Sequence, residues 1–334
     1  MISTSALPFP TTVLDVTSLA PSNALTGARH YTERDSYMAF KSVLSVMRAD
    51  QADQDVKTAA TLCAEIGAHL SVLIIGLATR PPMPITPGIG AVSGPWHEGR
   101  ASELRMLDRR CREIDGLTTD MVRLERRVGE IETLLGTMRL SCEVDFYYGD
   151  QGNVGAVVRQ RALYSDLTII GPLILGAPDL ALSVIDGSLG ESGKPLLVVP
   201  KGTKATLSPR RVLVGWDRRV ESSRAVREAL GLLSRSKDVR IMLSDCRASY
   251  NGNREPAVDL ADYLARHGVR GVVDCVPSVG AAVTTVLAQH ALDVSADMLV
   301  MGAYGHRALR QRIFGGATGW IPEKLPIIPM FLAR

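Results

Sequence analysis

The chain contains two copies of one strand-and-helix pattern, and this internal repeat restricts its fold more than any other feature. Segment 166–171 (DLTIIG) matches segment 297–302 (DMLVMG) at an offset of 131 residues. Near the start of each copy, Val43 matches Val212 at an offset of 169. Each copy alternates short apolar runs with helical patterns, which implies crossover connections and a mainly parallel sheet. The sequence therefore predicts a duplicated α/β protein.

The positions of the matches also predict the domain boundaries. Pro195 matches Pro326 at the offset of 131, which places the last strand of the second copy at Leu325–Met330. The offsets of 169 and 131 leave 38 extra residues in the first copy, and a helical pattern over Glu98–Leu135 accounts for them. Such an amphipathic pattern favours packing on the sheet over partner binding. The predicted domains are 38–203, with a helical insert at 98–137, and 209–334.

The first 37 residues differ in composition from the rest. They are rich in Ser, Thr and Pro, and they have neither a basic opening segment nor a sustained apolar core. We therefore expect residues 1–37 to be disordered and not to act as a secretory signal. Met38 directly precedes the first strand pattern, which suggests that translation starts there; mass spectrometry of the native N-terminus tests this hypothesis.

Composition argues against several classes of function. Lys and Arg (38) outnumber Asp and Glu (35) by only three, so no strong field favours nucleic acid or a membrane surface. The five cysteines include no Cys-x2-Cys pair, which argues against a zinc site or a disulfide framework and suits a reducing cytoplasm. The apolar runs fall far short of the roughly 20 residues that span a bilayer. We expect a cytoplasmic protein that binds neither nucleic acid nor membrane.

A glycine-rich stretch after the fourth strand pattern of the second copy is the strongest candidate site. Two residues separate Gly302 from Gly305, and nine more residues precede Gly315. Glycine permits close approach of the backbone to a ligand, and the N–H groups at a helix N-terminus attract phosphate. Glycines at strand ends are also common turn residues, so the pattern alone leaves both interpretations open.

An acidic residue is predicted to lie at the same edge of the sheet. Ligands of open parallel sheets bind beyond the C-terminal ends of the strands, near a switch in strand order. Asp217 directly follows the first strand pattern of the second copy. Its carboxylate could accept hydrogen bonds from adenine or ribose, or it could cap the helix that follows.

The spacing Gly-x2-Gly-x9-Gly resembles the nucleotide loop of the universal stress protein family, and the resemblance covers about residues 39–334. It implies two tandem Rossmann-like units of the adenine nucleotide alpha hydrolase type, each a mainly parallel five-stranded sheet with helices on both faces. It also implies a pseudo-dimer of the two units, with ATP bound in the second. The residues implied to bind ATP are Asp217, Leu243, Met301, Gly302, Gly305, Gly315, Gly316, Ala317 and Thr318.

One position departs from the family pattern. The family has a hydroxyl residue after the third glycine, where this chain has Gly316, so one donor to phosphate is lost. Thr318 supplies a hydroxyl two residues later, and His306 and Arg307 add positive charge. Mg²⁺ would be shared between the phosphates and water, because it usually keeps several water ligands.

The first copy lacks the same residues. At the two offsets, Arg48 replaces Asp217, while Ile174 and Val184 replace Gly305 and Gly315. Branched side chains would prevent close approach of the backbone to a phosphate. The first copy is therefore predicted to be degenerate and not to bind nucleotide.

The sequence contains no Gly-x-Ser-x-Gly or His-Glu-x-x-His motif that would mark a nucleophile or a metal-bound water. We therefore expect at most weak ATPase activity. The function predicted is a stress-response protein that binds ATP in its second domain. The alternatives are a nucleotide-free stress-response module that acts through partner binding and an enzyme that adenylates a substrate. Pairing with a second copy of the chain is left open.

Overall fold

The computed structural model describes residues 40–78, 116, 118–244, 256–277, 280, 283–303 and 328–334. Within these residues, ten strands form a single sheet flanked by helices. The strands are β1 (Ser42–Arg48), β2 (His69–Leu77), β3 (Cys142–Gly149), β4 (Leu167–Ile170), β5 (Leu196–Val198), β6 (Arg211–Gly215), β7 (Asp238–Ser244), β8 (Gly271–Val276), β9 (Met298–Gly302) and β10 (Met330–Ala333). The predicted disordered segment 1–37 lies outside the described residues.

The helices alternate with the strands, as the sequence pattern predicts. They are α1 (Gln54–Ile66), α2 (described over 118–136), α3 (Val154–Ala162), α4 (Pro172–Leu175), α5 (Pro178–Ile185), α6 (Val220–Glu228), α7 (Leu230–Leu233), α8 (Pro256–Arg266) and α9 (Val283–Asp293). A 3₁₀ turn at Gln151–Asn153 precedes α3, and a π-helical turn at Asp186–Glu191 follows α5.

The strand order shows the repeat directly. The sheet runs β3-β2-β1-β4-β5-β10-β9-β6-β7-β8, so β1–β5 (the first unit) and β6–β10 (the second unit) have the same internal order. All strand pairs are parallel except β5 with β10, where Leu197 lies opposite Phe331. The predicted α/β fold of two five-stranded units is confirmed, and the two units share one continuous sheet.

An aspartate begins the fourth strand of each unit and holds the first strand in place. The Asp166 carboxylate accepts the backbone N–H groups of Lys41 and Ser42 at 2.7 and 2.9 Å. The Asp297 carboxylate accepts those of Arg210 and Arg211 at 2.8 and 2.9 Å. These aspartates, which open the matched segments of the sequence, thus have the same structural role in both units.

Side chains alternate along the strands and form two hydrophobic layers, as expected of a sheet covered on both faces. One face, here called the α1 face, packs against α1, α2, α6, α7 and α8. The other, called the α9 face, packs against α3, α4, α5 and α9. Both layers contain residues of both units, and the rings of Phe40 and Phe331 lie 5.9 Å apart at their centroids.

Helix α2 confirms that the amphipathic pattern serves packing on the sheet. Its residues Leu124, Ile131 and Leu135 are buried in the layer of the α1 face. It connects β2 to β3 on that face, just as α8 connects β7 to β8. The rest of the predicted insert, before residue 116, lies outside the described residues.

The prediction of the last strand at Leu325–Met330 is wrong, because β10 begins at Met330. The N–H of Leu299 donates to the carbonyl of Pro329 at 2.9 Å, as the N–H of Thr168 donates to that of Pro195 at 3.0 Å. The counterpart of Pro195 is therefore Pro329 and not Pro326. The connection from β9 to β10 is three residues longer than its counterpart, since Thr168 pairs with Leu196 and Leu299 pairs with Met330.

One cysteine also departs from expectation. Cys275 is disulfide-bonded, whereas Cys63 and Cys142 are free. The sequence analysis did not predict a disulfide at Cys275. None of the helices in the described segments is both long and apolar enough to cross a membrane.

Candidate functional site

The C-terminal ends of β7, β6 and β9 bring part of the predicted site together. Gly215 in β6 lies opposite Met242 of β7 on one side and Met301 of β9 on the other. Asp217 follows Gly215 by two residues, and Gly302 follows Met301 directly. The backbones of Asp217, Met301 and Gly302 therefore lie at the same edge of the sheet, beside the switch in strand order between β6 and β9.

Gly302 lies against the first turn of α6. A Cβ atom at this position would be 2.5 Å from the backbone nitrogen of Ser222 and 2.6 Å from the carbonyl carbon of Glu221. No side chain fits there, so the end of β9 and the N-terminus of α6 can touch only because residue 302 is a glycine. The chain that leaves β9 thus starts beside a helix N-terminus, where backbone N–H groups have no helical partner.

Asp217 contacts the chain that enters α6. Its Oδ1 accepts the backbone N–H of Arg219 at 3.0 Å, and its Oδ2 lies 3.7 Å from Nε of the same residue. Arg218, between them, has φ of 66°, in the left-handed region. The accepted N–H belongs to Arg219, the N-cap residue of α6, so this hydrogen bond orders the turn that precedes the helix. The Asp217 side chain is 35% exposed.

The structure does not bring Met301 and Leu243 together through their side chains. Met301 is 5% exposed and packs in the layer of the α9 face, whereas Leu243 is 7% exposed and packs in that of the α1 face. Only one of them can therefore form a side-chain wall of a pocket on a given face.

The remaining predicted ligand residues lie outside the described residues. They are Gly305, Gly315, Gly316, Ala317 and Thr318, and the charged candidates His306 and Arg307 lie outside as well. In the part of the chain that the structure describes, no group of three or more His, Cys, Asp or Glu side chains could hold a metal ion.

Solved structures identify the fold. No protein-family model and no curated protein matches the sequence. A universal stress protein from Archaeoglobus fulgidus aligns over 89% of this chain and 97% of its own, with 15% identity and a TM-score of 0.58. This chain has the universal stress protein fold. A functionally unknown protein from Pseudomonas aeruginosa aligns over 90% of this chain and 94% of its own, with 13% identity and a TM-score of 0.46. A universal stress protein in complex with cAMP aligns over 38% of this chain and 98% of its own, with 19% identity and a TM-score of 0.28.

In the first unit of this universal stress protein fold, an ion pair lies at the position of Asp217. Arg48 ends β1 at that position, and its Nη1 donates to Oδ2 of Asp179 in α5 at 2.8 Å. Its Nε lies 2.8 Å from Oδ1 of Asp50. The guanidinium therefore connects the end of β1 to α5, across the edge where the second unit has Asp217.

A buried carboxylate binds the backbone that follows β4 in the first unit. Asp55, 2% exposed, accepts the N–H groups of Leu173 and Ile174 at 3.1 and 3.0 Å. Burial raises the pKa of Asp55, and the two backbone hydrogen bonds oppose this shift. A Cβ atom at Gly171 would lie 2.3 Å from Oδ1 of Asp55. The N–H groups of Leu173 and Ile174, which follow β4, are thus occupied by an internal carboxyl group.

Two further observations show that side chains of the first unit fill this edge of the sheet. Ile174 and Val184, the residues expected to block a phosphate, are fully buried in the layer of the α9 face. Nε2 of Gln51 donates to the carbonyl of Leu173 at 3.0 Å. The sequence analysis singled out neither Asp55 nor Gln51. An acidic residue in the first turn of a helix is a recognisable signal, but its partner 118 residues away is not.

The sequence analysis also did not predict an open groove of about 880 Å³ between the β1–α1 loop, α1 and α2. Arg127 of α2 lies in its wall, where Nη2 donates to the carbonyl of Gln51 at 2.8 Å and to Asp53 Oδ1 at 2.5 Å. This groove belongs to the first unit and is separate from the edge that carries Asp217 and Gly302.

Proposed function

We propose that this chain is a tandem universal stress protein that binds ATP at the C-terminal edge of its second unit and acts in the stress response. The proposed domains are 38–203, whose ligand site is degenerate, and 209–334, whose site is functional. The proposal includes a cytoplasmic location. It also includes a pseudo-dimer, in which the two units of one chain pair with each other as two separate single-unit chains would in a homodimer.

The contrast between the two units at equivalent positions carries this proposal. In the first unit, the Arg48–Asp179 ion pair and the buried Asp55 carboxylate fill the edge of the sheet. In the second unit, the equivalent edge has Asp217, which is 35% exposed, and Gly302 in contact with the start of α6. An exposed acceptor beside a glycine-lined helix start suits a ligand with a base or sugar at one end and phosphates at the other.

Binding would depend on position and charge. Asp217 would accept a hydrogen bond from adenine or ribose, and the backbone of Gly302, Gly305, Gly315 and Gly316 would surround the phosphates, with Thr318 adding a hydroxyl. Mg²⁺ would be held by the phosphates and water. Met301 and Ala317 would line the pocket. Among the described residues at this edge, none is placed as a general base with an adjacent nucleophile, so we expect hydrolysis to be slow or absent.

Equilibrium dialysis with labelled ATP tests the proposal with two glycine variants. Gly305→Val should abolish binding, because a branched side chain would keep the backbone away from the phosphates. The matched control is Gly129→Val on α2, where a Cβ atom would meet nothing within 4 Å. It should bind ATP like the wild type.

A wild-type protein that binds no ATP contradicts the proposal and favours the nucleotide-free interaction module. Unchanged binding by Gly305→Val would also contradict it, since the nucleotide would then lie elsewhere.

A further inference from the structure

Helix α6 has an arginine-rich face that is exposed to solvent. The exposed positions of the helix are spaced three and four residues apart, so they form one continuous face, and the N-cap residue adjoins it. This face, here called the α6 stripe, consists of Arg219, Val220, Ser223, Arg224 and Arg227. It includes three arginines and no acidic residue.

The α6 stripe has a counterpart on α1 in the first unit. The two helices align through the second residue of each, because a Cβ atom on the glycine that ends the fourth strand would be 2.9 Å from Cβ of Asp55 in α1 and of Glu221 in α6. In this alignment the counterparts of the α6 stripe are Asp53, Gln54, Lys57, Thr58 and Thr61. All five line the open groove between α1 and α2.

In the first unit, a helix of the same chain lies beside this face. The opposite wall of the groove contains Arg127 and Glu130 of α2. Nη2 of Arg127 donates to Oδ1 of Asp53, the N-cap residue of α1, at 2.5 Å. The first unit thus shows that this face suits a neighbouring helix and that opposite charges hold the helix there.

Helix α8 corresponds to α2, since each connects the second and third strands of its unit. Counted back from the next strand, Pro256 at the start of α8 takes the position of Arg127, whereas α2 is described from residue 118. Within the described residues, the turns of α2 before Arg127 therefore have no helical counterpart in the second unit. Val220 is 65% exposed, and the Arg227 side chain is 66% exposed.

We propose that the α6 stripe is a docking surface for an acidic amphipathic helix of a partner protein. The inference does not depend on ATP binding. On α1, the charges of Asp53 and Lys57 cancel, whereas the α6 stripe has three positive charges. Arg219 stands where Asp53 binds a base of α2, so the equivalent neighbour of α6 must supply an acid.

The side chains of the α6 stripe suit such a contact. The planar guanidinium groups of Arg224 and Arg227 match the geometry of carboxylates. Val220 adds an exposed apolar contact at the start of the helix. A partner helix with acids beside an apolar residue fits this combination, as amphipathic helices fit grooves in other complexes.

A peptide with the sequence of residues 118–136 of α2, carrying Arg123→Glu, Arg126→Glu and Arg127→Glu, tests the proposal. It keeps the helical pattern of the segment that lies beside α1 and has acids in place of the three arginines. Fluorescence anisotropy of the labelled peptide should show binding to the full chain at low ionic strength. Binding should be about tenfold weaker at about 0.15 M salt, because surface charges are screened. The unsubstituted peptide is the control and should not bind.

Charge reversal on the protein locates the contact. Arg224→Glu combined with Arg227→Glu should weaken binding of the acidic peptide about tenfold or more, because attraction becomes repulsion. The matched control combines Arg123→Glu with Arg126→Glu on α2, whose side chains are 77% and 82% exposed. It changes the net charge equally and should bind the peptide like the wild type.

Three results would overturn the proposal. The first is a wild-type protein that does not bind the acidic peptide or binds both peptides equally. The second is an equal loss in the two double variants, which would show that net charge attracts the peptide. The third is single-stranded DNA that binds more tightly than the peptide and is lost with the α6 variant, since the occupant would then be a nucleic acid.

Discussion

Asp55 combines two opposing effects on one carboxyl group. Its burial disfavours the ionised form, while the N–H groups of Leu173 and Ile174 favour it, and burial is the larger effect, so its pKa is raised above 3.8. A carboxyl whose pKa is higher in the folded state binds protons more strongly there than in the unfolded chain. The contribution of Asp55 to the free energy of unfolding must therefore decrease as the pH rises from 3.8 through the folded-state pKa.

We predict that Asp55→Asn removes this component of the pH dependence. Asparagine keeps an oxygen that can accept from Ile174 but does not titrate, so the stability of the variant relative to the wild type should increase as the pH rises through that range. Urea unfolding of both proteins at a series of pH values from 3.5 to 7 measures the difference. A difference that stays constant, or that changes in the opposite direction, would show that the pKa of Asp55 is not raised by folding.

At the residue scale, the sequence predicts positions that follow strands and misses contacts between distant segments. Asp217 and Gly302 could be predicted because each directly follows a recognisable strand, and parallel strands end at the same edge. The contact of Asp55 with Ile174 spans 119 residues and leaves no local pattern. The opposite orientation of Leu243 and Met301 depends on the strand register, which the sequence pattern did not give.

Helix α2 is attached to the first unit by both apolar and polar contacts. Leu124, Ile131 and Leu135 are buried against the sheet. The Arg127 side chain is 16% exposed, and its hydrogen bonds to Asp53 and to the carbonyl of Gln51 hold α2 to the start of α1. Because this ion pair is largely removed from water, loss of one partner leaves the other poorly solvated.

We predict that Arg127→Ala lowers the free energy of unfolding by roughly 2 kcal/mol, through the lost hydrogen bonds to Asp53 and to the carbonyl of Gln51. The adjacent Arg126 is the control. Its side chain is 82% exposed, and its ion pair with Glu130 is on the surface, so Arg126→Ala should cost less than about 1 kcal/mol. Urea unfolding followed by circular dichroism compares the variants. Equal losses would show that the contact between α2 and the β1–α1 loop adds no stability.

At the element scale, apolar runs between turn residues were predictable and short helices were not. The matched segments 166–171 and 297–302 contain β4 and β9, because each is an apolar run between turn residues. Helices α4 and α5 were missed, although each begins with a proline, a favourable residue at a helix start. The last strand was displaced because Pro326 and Pro329 give the same local signal, and only pairing with β9 distinguishes them.

The two units depend on each other through the central pair β5 and β10. Each of these strands covers an edge that the other unit would otherwise expose. Phe331 in β10 is fully buried and lies opposite Leu197 of the first unit, and its ring packs near that of Phe40. The core layer of the α1 face therefore passes without interruption from one unit to the other.

We predict that Phe331→Ala destabilises both units together, by about 3–5 kcal/mol, because it leaves a cavity in a layer that they share. Thermal unfolding should remain one transition, with far-ultraviolet circular dichroism and tryptophan fluorescence changing at the same temperature. Phe331→Leu keeps most of the apolar volume and should cost much less. If Phe331→Ala instead unfolds in two separate steps, the shared sheet does not couple the units, and each must be stable without the other's central strand.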